Sequence, residues 1–250
     1  MKTLVELSPE QHKHLNVVPN SGAKHVAQQN LINLRVTEVA KAACCMPIFF
    51  VRDNHSGNWV LTGFTSFVQG QNLLVRDDQW RALYTPTALQ THPFYLMQSP
   101  KDPQQYTIGL DPESSALTTE PGETMFDEHG KASLYLSNIK TLIETDLNND
   151  MLTHKFSQKV VDLGLLKAVN IAVNHQHNAS QSLNGLFTIN EEKLQQLPSD
   201  SLKELSKLGY LSPLYAMLTS LYQLNALIQY HNQVADNNSI THIKLEASKV

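Results

Sequence analysis

The stretch that decides the fold covers residues 47–94, and it opens with PIFFVRDNHSGNWVLTGFTSFV. β-Branched and aromatic residues fill positions 47–52 and return at positions 59–68, which is typical of two strands. Between them, residues 54–58 carry the asparagine, serine and glycine of a tight turn. The pattern therefore predicts a hairpin whose first strand is buried.

Further strand signals follow this hairpin. Residues 72–75 form a short apolar run, and residues 94–98 with residues 105–110 form a second hairpin pattern across the proline-flanked loop at 100–103. We therefore expect residues 1–110 to form mainly antiparallel sheet, as a meander or partial barrel. Residues 111–130, rich in acidic residues and punctuated by proline and glycine, are expected to form an acidic surface loop.

Helical spacing of apolar residues dominates the second half of the chain. It runs from residue 135 to 143, from 153 to 166 and, after the N-terminal signal Ser212-Pro213, to about residue 231. A hairpin pattern interrupts it, with strands at 168–173 and 182–189. The apolar phases predict burial of Phe50, Phe64, Leu73, Phe156, Val160, Leu214 and Leu218.

These patterns together predict an α+β fold. An N-terminal antiparallel sheet is expected to pack with a mainly helical C-terminal half, residues 131–232, which contains the hairpin predicted at 168–189. We predict one domain over residues 1–232. The polar residues 233–250 are predicted to form a flexible tail unless they dock.

Composition excludes several classes of protein. The chain has 250 residues, 41% of them apolar and 17% charged, with a net charge of −4, as expected of a globular protein with a sizeable core. Its 19 Lys and Arg residues are scattered, unlike the basic patch of a nucleic-acid-binding protein. Residues 1–10 resemble no signal peptide, and no stretch approaches the ~20 apolar residues of a transmembrane helix. We expect a cytoplasmic protein without a transmembrane segment or nucleic-acid partner.

Motifs for catalysis and cofactor binding are missing from the sequence. The ten glycines form no phosphate loop, and no serine lies in a Gly-x-Ser-x-Gly elbow. His175 and His177 alternate as metal ligands would on a strand, but they fall in a predicted turn without a neighbouring carboxylate. Cys44 and Cys45 lie near a predicted helix C-terminus, where the helix dipole disfavours a thiolate. We therefore predict no catalytic residue, no bound metal and no cofactor.

Aromatic side chains between residues 80 and 95 form the strongest candidate for a binding surface. Aromatic and arginine side chains dominate the energetics of many protein interfaces. The alternative is that these rings fill the seam between sheet and helices. The acidic loop offers a second candidate, although it lacks the alternating pattern of a calcium site. The candidate partner-binding residues are Trp80, Arg81, Tyr84, Phe94, Tyr95 and Asp111.

Several short motifs extend over nearly the whole chain. They are Leu7-x-Pro9-x-x-His12, Pro47-Ile48-x-Phe50, Asn72-Leu73, Trp80, Tyr84-x-Pro86, Pro93-Phe94, Phe126-Asp127-x-x-Gly130, Gly185-Leu186-Phe187, Leu194-x-x-Leu197 and Ser220-Leu221. By their order and spacing, these motifs make the chain resemble the SapC family of bacterial proteins. The chain departs from the expected pattern where Gln90, Thr91 and His92 stand in place of two basic residues before a Pro-Phe pair, which argues against an anionic ligand there.

The resemblance implies a connection with bacterial surface layers, and an association with flavin-dependent halogenases, cupin-like oxygenases and TonB-dependent receptors. It carries over no catalytic residue. The function expected is that of a non-enzymatic accessory protein that binds a protein or peptide partner, or a second copy of itself as a homodimer. One alternative is an enzyme of unrecognised type, such as a metal-dependent, oxygenase-like protein. Another is a structural component of a surface layer.

Overall fold

The computed structural model describes residues 4–54, 56–100, 102, 104–177, 180–234 and 238–248. Helices and antiparallel strands are both present, and the predicted α+β class is confirmed. The strands in the described residues are β1 Val5–Glu6, β2 Asn16–Val17, β3 Leu31–Asn33, β4 Ile48–Arg52, β5 Trp59–Phe64, β6 Val75–Arg76, β7 Gln79–Trp80, β8 Phe94–Gln98, β9 Tyr106–Leu110, β10 Leu117–Thr118, β11 Glu123–Thr124, β12 Leu166–His175, β13 Gln181–Ile189 and β14 Ile240–Ala247. The α-helices there are α1 Pro9–His12, α2 Ser21–Val26, α3 Val39–Ala42, α4 Thr87–Gln90, α5 Leu134–Asp162, α6 Glu191–Gln195, α7 Ser199–Lys207, α8 Leu211–Ser220 and α9 Gln223–Val234, and a 3₁₀ turn covers Val36–Glu38.

Contacts divide the chain into two compact units, each built from separate stretches of sequence. This division does not test the prediction that residues 1–232 form one domain, which therefore stays a prediction. The first unit consists of Met1–Ala27, Val75–Arg81 and Thr87–Asn148; the second consists of Gln28–Leu74, Ala82–Pro86 and Asn149–Val250.

The second unit is built around a six-stranded sheet with the strand order β14-β12-β13-β4-β5-β3. The predicted first hairpin is its β4–β5 pair, in which Phe50 lies opposite Leu61. Its turn is fixed by the Asp53 carboxylate, which accepts hydrogen bonds from the Ser56 amide at 3.2 Å and the Ser56 hydroxyl at 2.6 Å. Residue 55 of this predicted turn lies outside the described residues.

The predicted C-terminal hairpin joins the same sheet. Strands β12 and β13 pair as expected, and β13 then pairs with β4 through Leu186 opposite Val51 and Phe187 opposite Phe50. The C-terminal hairpin therefore extends the sheet that contains β4 and β5, a pairing that the sequence patterns did not predict. Strand pairing between distant residues depends on which faces can be buried together, and local periodicity does not encode it.

Aromatic rings fill the core of the second unit. Phe50 stacks on Phe156 of α5 with ring centroids 6.1 Å apart, and Phe156 meets Tyr210 edge-on at 5.1 Å. Leu218 is half-buried, so its predicted burial is only partial. The other predicted core residues are buried: Phe50, Phe64, Leu73, Phe156, Val160 and Leu214.

The first unit contains two small sheets and a two-stranded ribbon. The predicted second hairpin is the pair β8–β9, and β1 adds to β9; residues 101 and 103 of its loop lie outside the described residues. The acidic loop is anchored, because β10 and β11 both pair with β2. The core consists of Val17, Phe94, Leu110, Met125, Phe126, Leu136, Ile139 and Ile143.

Several helix boundaries differ from those predicted. The two helices expected after residue 130 form one continuous helix, α5, of 29 residues, since no glycine or proline interrupts it. The helix expected from 212 to 231 is divided into α8 and α9. The strand expected at 72–75 is reduced to β6. No helix of the described residues has the length and apolarity needed to cross a membrane.

The C-terminal tail docks on the sheet over most of its described length, which is the alternative that the prediction of a flexible tail left open. Strand β14 pairs antiparallel with β12, with Ile243 opposite Val173, Leu245 opposite Ile171 and Ala247 opposite Val169. Since the β12 residues are buried core positions, the apolar residues of β14 extend the same face of the sheet. Residues 235–237 and 249–250 of the predicted tail lie outside the described residues.

Candidate functional site

The predicted aromatic patch is divided between the two units. Trp80 ends the ribbon strand β7 in the first unit, where it lies half-buried opposite Val75. Arg81, which follows it, forms an exposed ion pair with Asp77 at 3.7 Å. Tyr84 belongs to the second unit. The structure therefore does not bring these residues together within one unit.

Tyr84 has a structural contact of its own. Its hydroxyl donates a hydrogen bond of 2.7 Å to Glu38, whose other carboxylate oxygen accepts the Arg35 amide at 2.7 Å. Glu38 is only 4% exposed. The Lys41 ammonium lies 5.9 Å from the centre of the Tyr84 ring. Tyr84 thus helps to satisfy a buried carboxylate.

The remaining predicted residues come together in the first unit. Phe94 pairs with Leu110 across the β8–β9 hairpin, Tyr95 follows Phe94, and Asp111 follows Leu110. Phe94 is 1% exposed and belongs to the core, so it offers no surface for a partner. Asp111 accepts a hydrogen bond from the Glu113 amide at 3.1 Å and shapes the start of the acidic loop.

His92 lies at the centre of this group. Its Nδ1 is 3.3 Å from the Tyr95 hydroxyl, its Nε2 is 3.4 Å from the Ser114 hydroxyl, and its ring stacks on His25 with centroids 4.1 Å apart. A histidine beside a serine hydroxyl is a possible general base. The Ser114 hydroxyl, however, also accepts the Ala116 amide at 3.2 Å and so closes a local turn. This cluster organises the loop after β9.

The histidines and cysteines singled out by the sequence have structural contacts of their own. Within the described ranges, no three His, Cys, Asp or Glu side chains come together as a metal site. His175 Nδ1 and His231 Nε2 each lie 3.3 Å from the backbone carbonyl oxygen of Asn238. This geometry suits two ring N–H groups that donate hydrogen bonds to one carbonyl oxygen. Burial raises the pKa of the Cys45 thiol, which disfavours the thiolate.

The second unit carries a groove beside strand β14. Two adjoining cavities of about 540 and 430 Å³ meet at Leu218, Leu221 and Leu245. Helices α8 and α9 form one wall, and strands β12 and β14 form the other. Two tyrosines rise from the helical wall: Tyr215 is 46% exposed and Tyr222 is 77% exposed.

Strand β14 is an edge strand of the sheet. It pairs with β12 on one side, and no other strand of the described residues pairs with its second side. Ile243, Leu245 and Ala247 face the groove, whereas Lys244 and Glu246 lie on the opposite face and form an ion pair at 2.9 Å. The backbone groups on the outer side of such a strand can pair with an incoming chain.

The charge of the groove is negative at one end. Glu191 and Glu192 line that end, against the single ammonium of Lys167. The opposite end is lined by Tyr215, Tyr222 and Ile243. The groove can therefore accept apolar side chains along its length and a basic side chain near α6.

Sequence reasoning missed this site. Residues 241–247 alternate between threonine or apolar residues and charged or histidine residues, which is the period of a strand with one buried face. The polar composition of the surrounding tail concealed that signal. The exposure of Tyr215 and Tyr222 depends on how α8 and α9 pack, which helical spacing alone does not give.

The comparisons with known proteins identify a family. The family model described as SapC matches residues 7–227. Neither the curated proteins nor the solved structures contain a match to this chain. Strand β14 follows the matched residues, whereas α8 and the first five residues of α9 lie within them. With most of its length matched, the chain belongs to the SapC family.

Proposed function

We propose that this chain is a non-enzymatic accessory protein that recognises a protein or peptide partner by adding a strand of that partner to β14. The observation that carries this proposal is the open edge of β14 directly beside an apolar groove with two exposed tyrosines. Strand addition uses both features. Main-chain hydrogen bonds supply affinity, and pockets for alternate side chains supply specificity.

The groove suits an extended segment with apolar residues at alternate positions. Such residues point to one face of a strand, and Ile243, Leu245 and Ala247 already present the matching face of β14. Tyrosine is an effective anchor because it buries a large ring at low entropic cost and keeps a polar hydroxyl for the rim. The acidic end at Glu191 and Glu192 favours a partner segment with a basic residue there.

The biological setting proposed here is the surface-layer or protein-modification machinery of bacteria. Support for it comes from the SapC family and its name. We propose that the protein acts in the cytoplasm, where it would bind a component before that component reaches the surface. Fractionation of the native host tests the location, and recovery in the outer surface fraction would contradict it.

The test is affinity purification from the native host with a groove variant, Tyr215→Ala Tyr222→Ala. Partners retained by the original chain are identified by mass spectrometry, purified and re-measured. We expect the variant to bind such a partner roughly 30-fold or more weakly, because even one anchor of this kind contributes ~2 kcal/mol or more. Tyr106→Ala, which removes a 58% exposed tyrosine from the first unit, is the control.

Both variants must keep the circular dichroism and thermal unfolding of the original chain. Equal binding by the original chain and the folded groove variant would rule out the groove as the recognition site. If only the Tyr106→Ala variant loses binding, the recognition site lies in the first unit.

A further inference from the structure

We infer that the partner strand at β14 is, in one assembly, β14 of a second copy of this chain, in antiparallel register with Leu245 opposite Leu245. This inference rests on the proposed use of the β14 edge and names one occupant for it. A two-fold axis through the centre of the paired strands would make one continuous sheet from the two six-stranded sheets.

The charges of β14 favour this register. In an antiparallel pair centred on Leu245, Lys244 of each copy lies opposite Glu246 of the other, and Ile243 lies opposite Ala247. Directly opposed side chains on a sheet interact, and opposite charges stabilise the pair. Lys244 and Glu246 already lie together on one face, at 2.9 Å within the chain, so the pairing creates an alternating four-charge cluster across the axis.

The neighbouring registers are less favourable. A shift that centres the pair on Lys244 sets two lysines directly opposite each other, which is repulsive. A shift that centres it on Ile243 sets His242 opposite Lys244 and leaves Glu246 opposite the apolar Ile240. The sequence of β14 thus selects one symmetric register by charge.

The apolar face supports the same arrangement. Leu245 is 39% exposed although it lies on the core side of the sheet, and Ile243 is half-buried. In the Leu245-centred pair, these side chains of one copy extend the groove face of the other. The exposed ring of Tyr222 borders that face in each copy, so dimerisation reduces the apolar surface in contact with water.

The experiment is sedimentation of the purified full chain over a wide range of concentration. The original chain is expected to form a dimer. Lys244→Glu and Glu246→Lys, taken singly, set like charges opposite each other and should weaken the dimer roughly tenfold or more. The double variant Lys244→Glu Glu246→Lys restores both cross-strand pairs and the pair within the chain, so it should recover the dimer. Lys203→Glu, at an exposed position on α7, is the control.

A chain that remains monomeric at every concentration would overturn the inference. It would instead identify Lys244 as a charge that prevents β14 from pairing with a second copy. A dimer that the single variants do not weaken, or that the double variant does not recover, would also overturn it. The proposed function is judged separately, because binding of a purified host partner that depends on Tyr215 and Tyr222 can occur in a monomeric chain.

Discussion

Tyr84 and Glu38 illustrate how a residue of a recognisable motif can serve the fold. Tyr84 belongs to the Tyr84-x-Pro86 motif and donates its hydroxyl to a carboxylate that is almost inaccessible to water. If a buried carboxylate loses a hydrogen-bond donor, the free-energy cost of removing it from water is no longer offset, and the folded state is less stable. Asp127 of the Phe126-Asp127-x-x-Gly130 motif is similar, since it accepts the amides of His129 and Lys131 and closes a turn.

Replacing Tyr84 with phenylalanine tests this structural role. We expect Tyr84→Phe to lower the free energy of unfolding by about 1–3 kcal/mol, because Glu38 loses a hydrogen-bond donor while the ring packing is kept. Tyr222→Phe removes a hydroxyl from an exposed ring and should leave stability unchanged. Urea denaturation measures both. If Tyr84→Phe leaves the free energy of unfolding unchanged, the hydroxyl does not stabilise the fold, and Tyr84 is again a candidate for partner binding.

We expect His231 to make the free energy of unfolding depend on pH. It is 4% exposed, and burial lowers its pKa below the ordinary value of about 6.5. The folded state therefore favours the neutral imidazole. Its contribution to stability is complete above about pH 6.5 and is lost as the pH falls through the lowered pKa, since the unfolded chain binds the proton more readily.

We accordingly expect the free energy of unfolding to fall between pH 7 and pH 5, and to fall less steeply in a His231→Gln variant. His14→Gln, at an exposed histidine, should keep the slope of the original chain. Denaturant unfolding at a series of pH values measures these slopes, and an NMR titration of His231 gives its pKa directly. An NMR pKa at or above 6.5 would contradict the account.

Among the elements, β4 shows most directly what local sequence predicts. Its run of β-branched and aromatic residues identifies a buried strand, and the hairpin with β5 follows from the turn between them. The pairing of β4 with β13 joins residues more than 130 positions apart and depends on which faces can be buried together. Local patterns therefore predicted the β4–β5 and β12–β13 hairpins but did not predict that they pair in one sheet.

Phe50 tests the burial predicted for β4. It is fully buried and stacks on Phe156, so Phe50→Ala removes a ring from a site with little room to collapse. We expect a loss of about 3–5 kcal/mol in the free energy of unfolding. Leu83→Ala, at a side chain that is 94% exposed, should change it by less than about 0.5 kcal/mol. A similar small loss for both variants would contradict the described core.

At the scale of the whole molecule, the chain passes repeatedly between its two compact units. Residues 75–81 belong to the first unit and residues 82–86 to the second, so Trp80 and Tyr84 belong to different units. The sequence patterns indicated aromatic and arginine side chains as a candidate binding surface but could not assign them to units. The groove beside β14 is assembled from α8, α9, β12 and β14, and its exposure depends on packing between elements that are distant in sequence.

The most direct test of strand addition is amide hydrogen exchange along β14, measured by mass spectrometry without and with a purified host partner. The protein is kept dilute, so that self-association does not contribute. We predict that outward-facing amides of β14 exchange roughly tenfold or more slowly in the complex, because they become hydrogen-bonded to the partner strand. Amides of β3, at the opposite edge of the sheet, should keep their rates. Unchanged exchange along β14 in a fully formed complex would contradict the account.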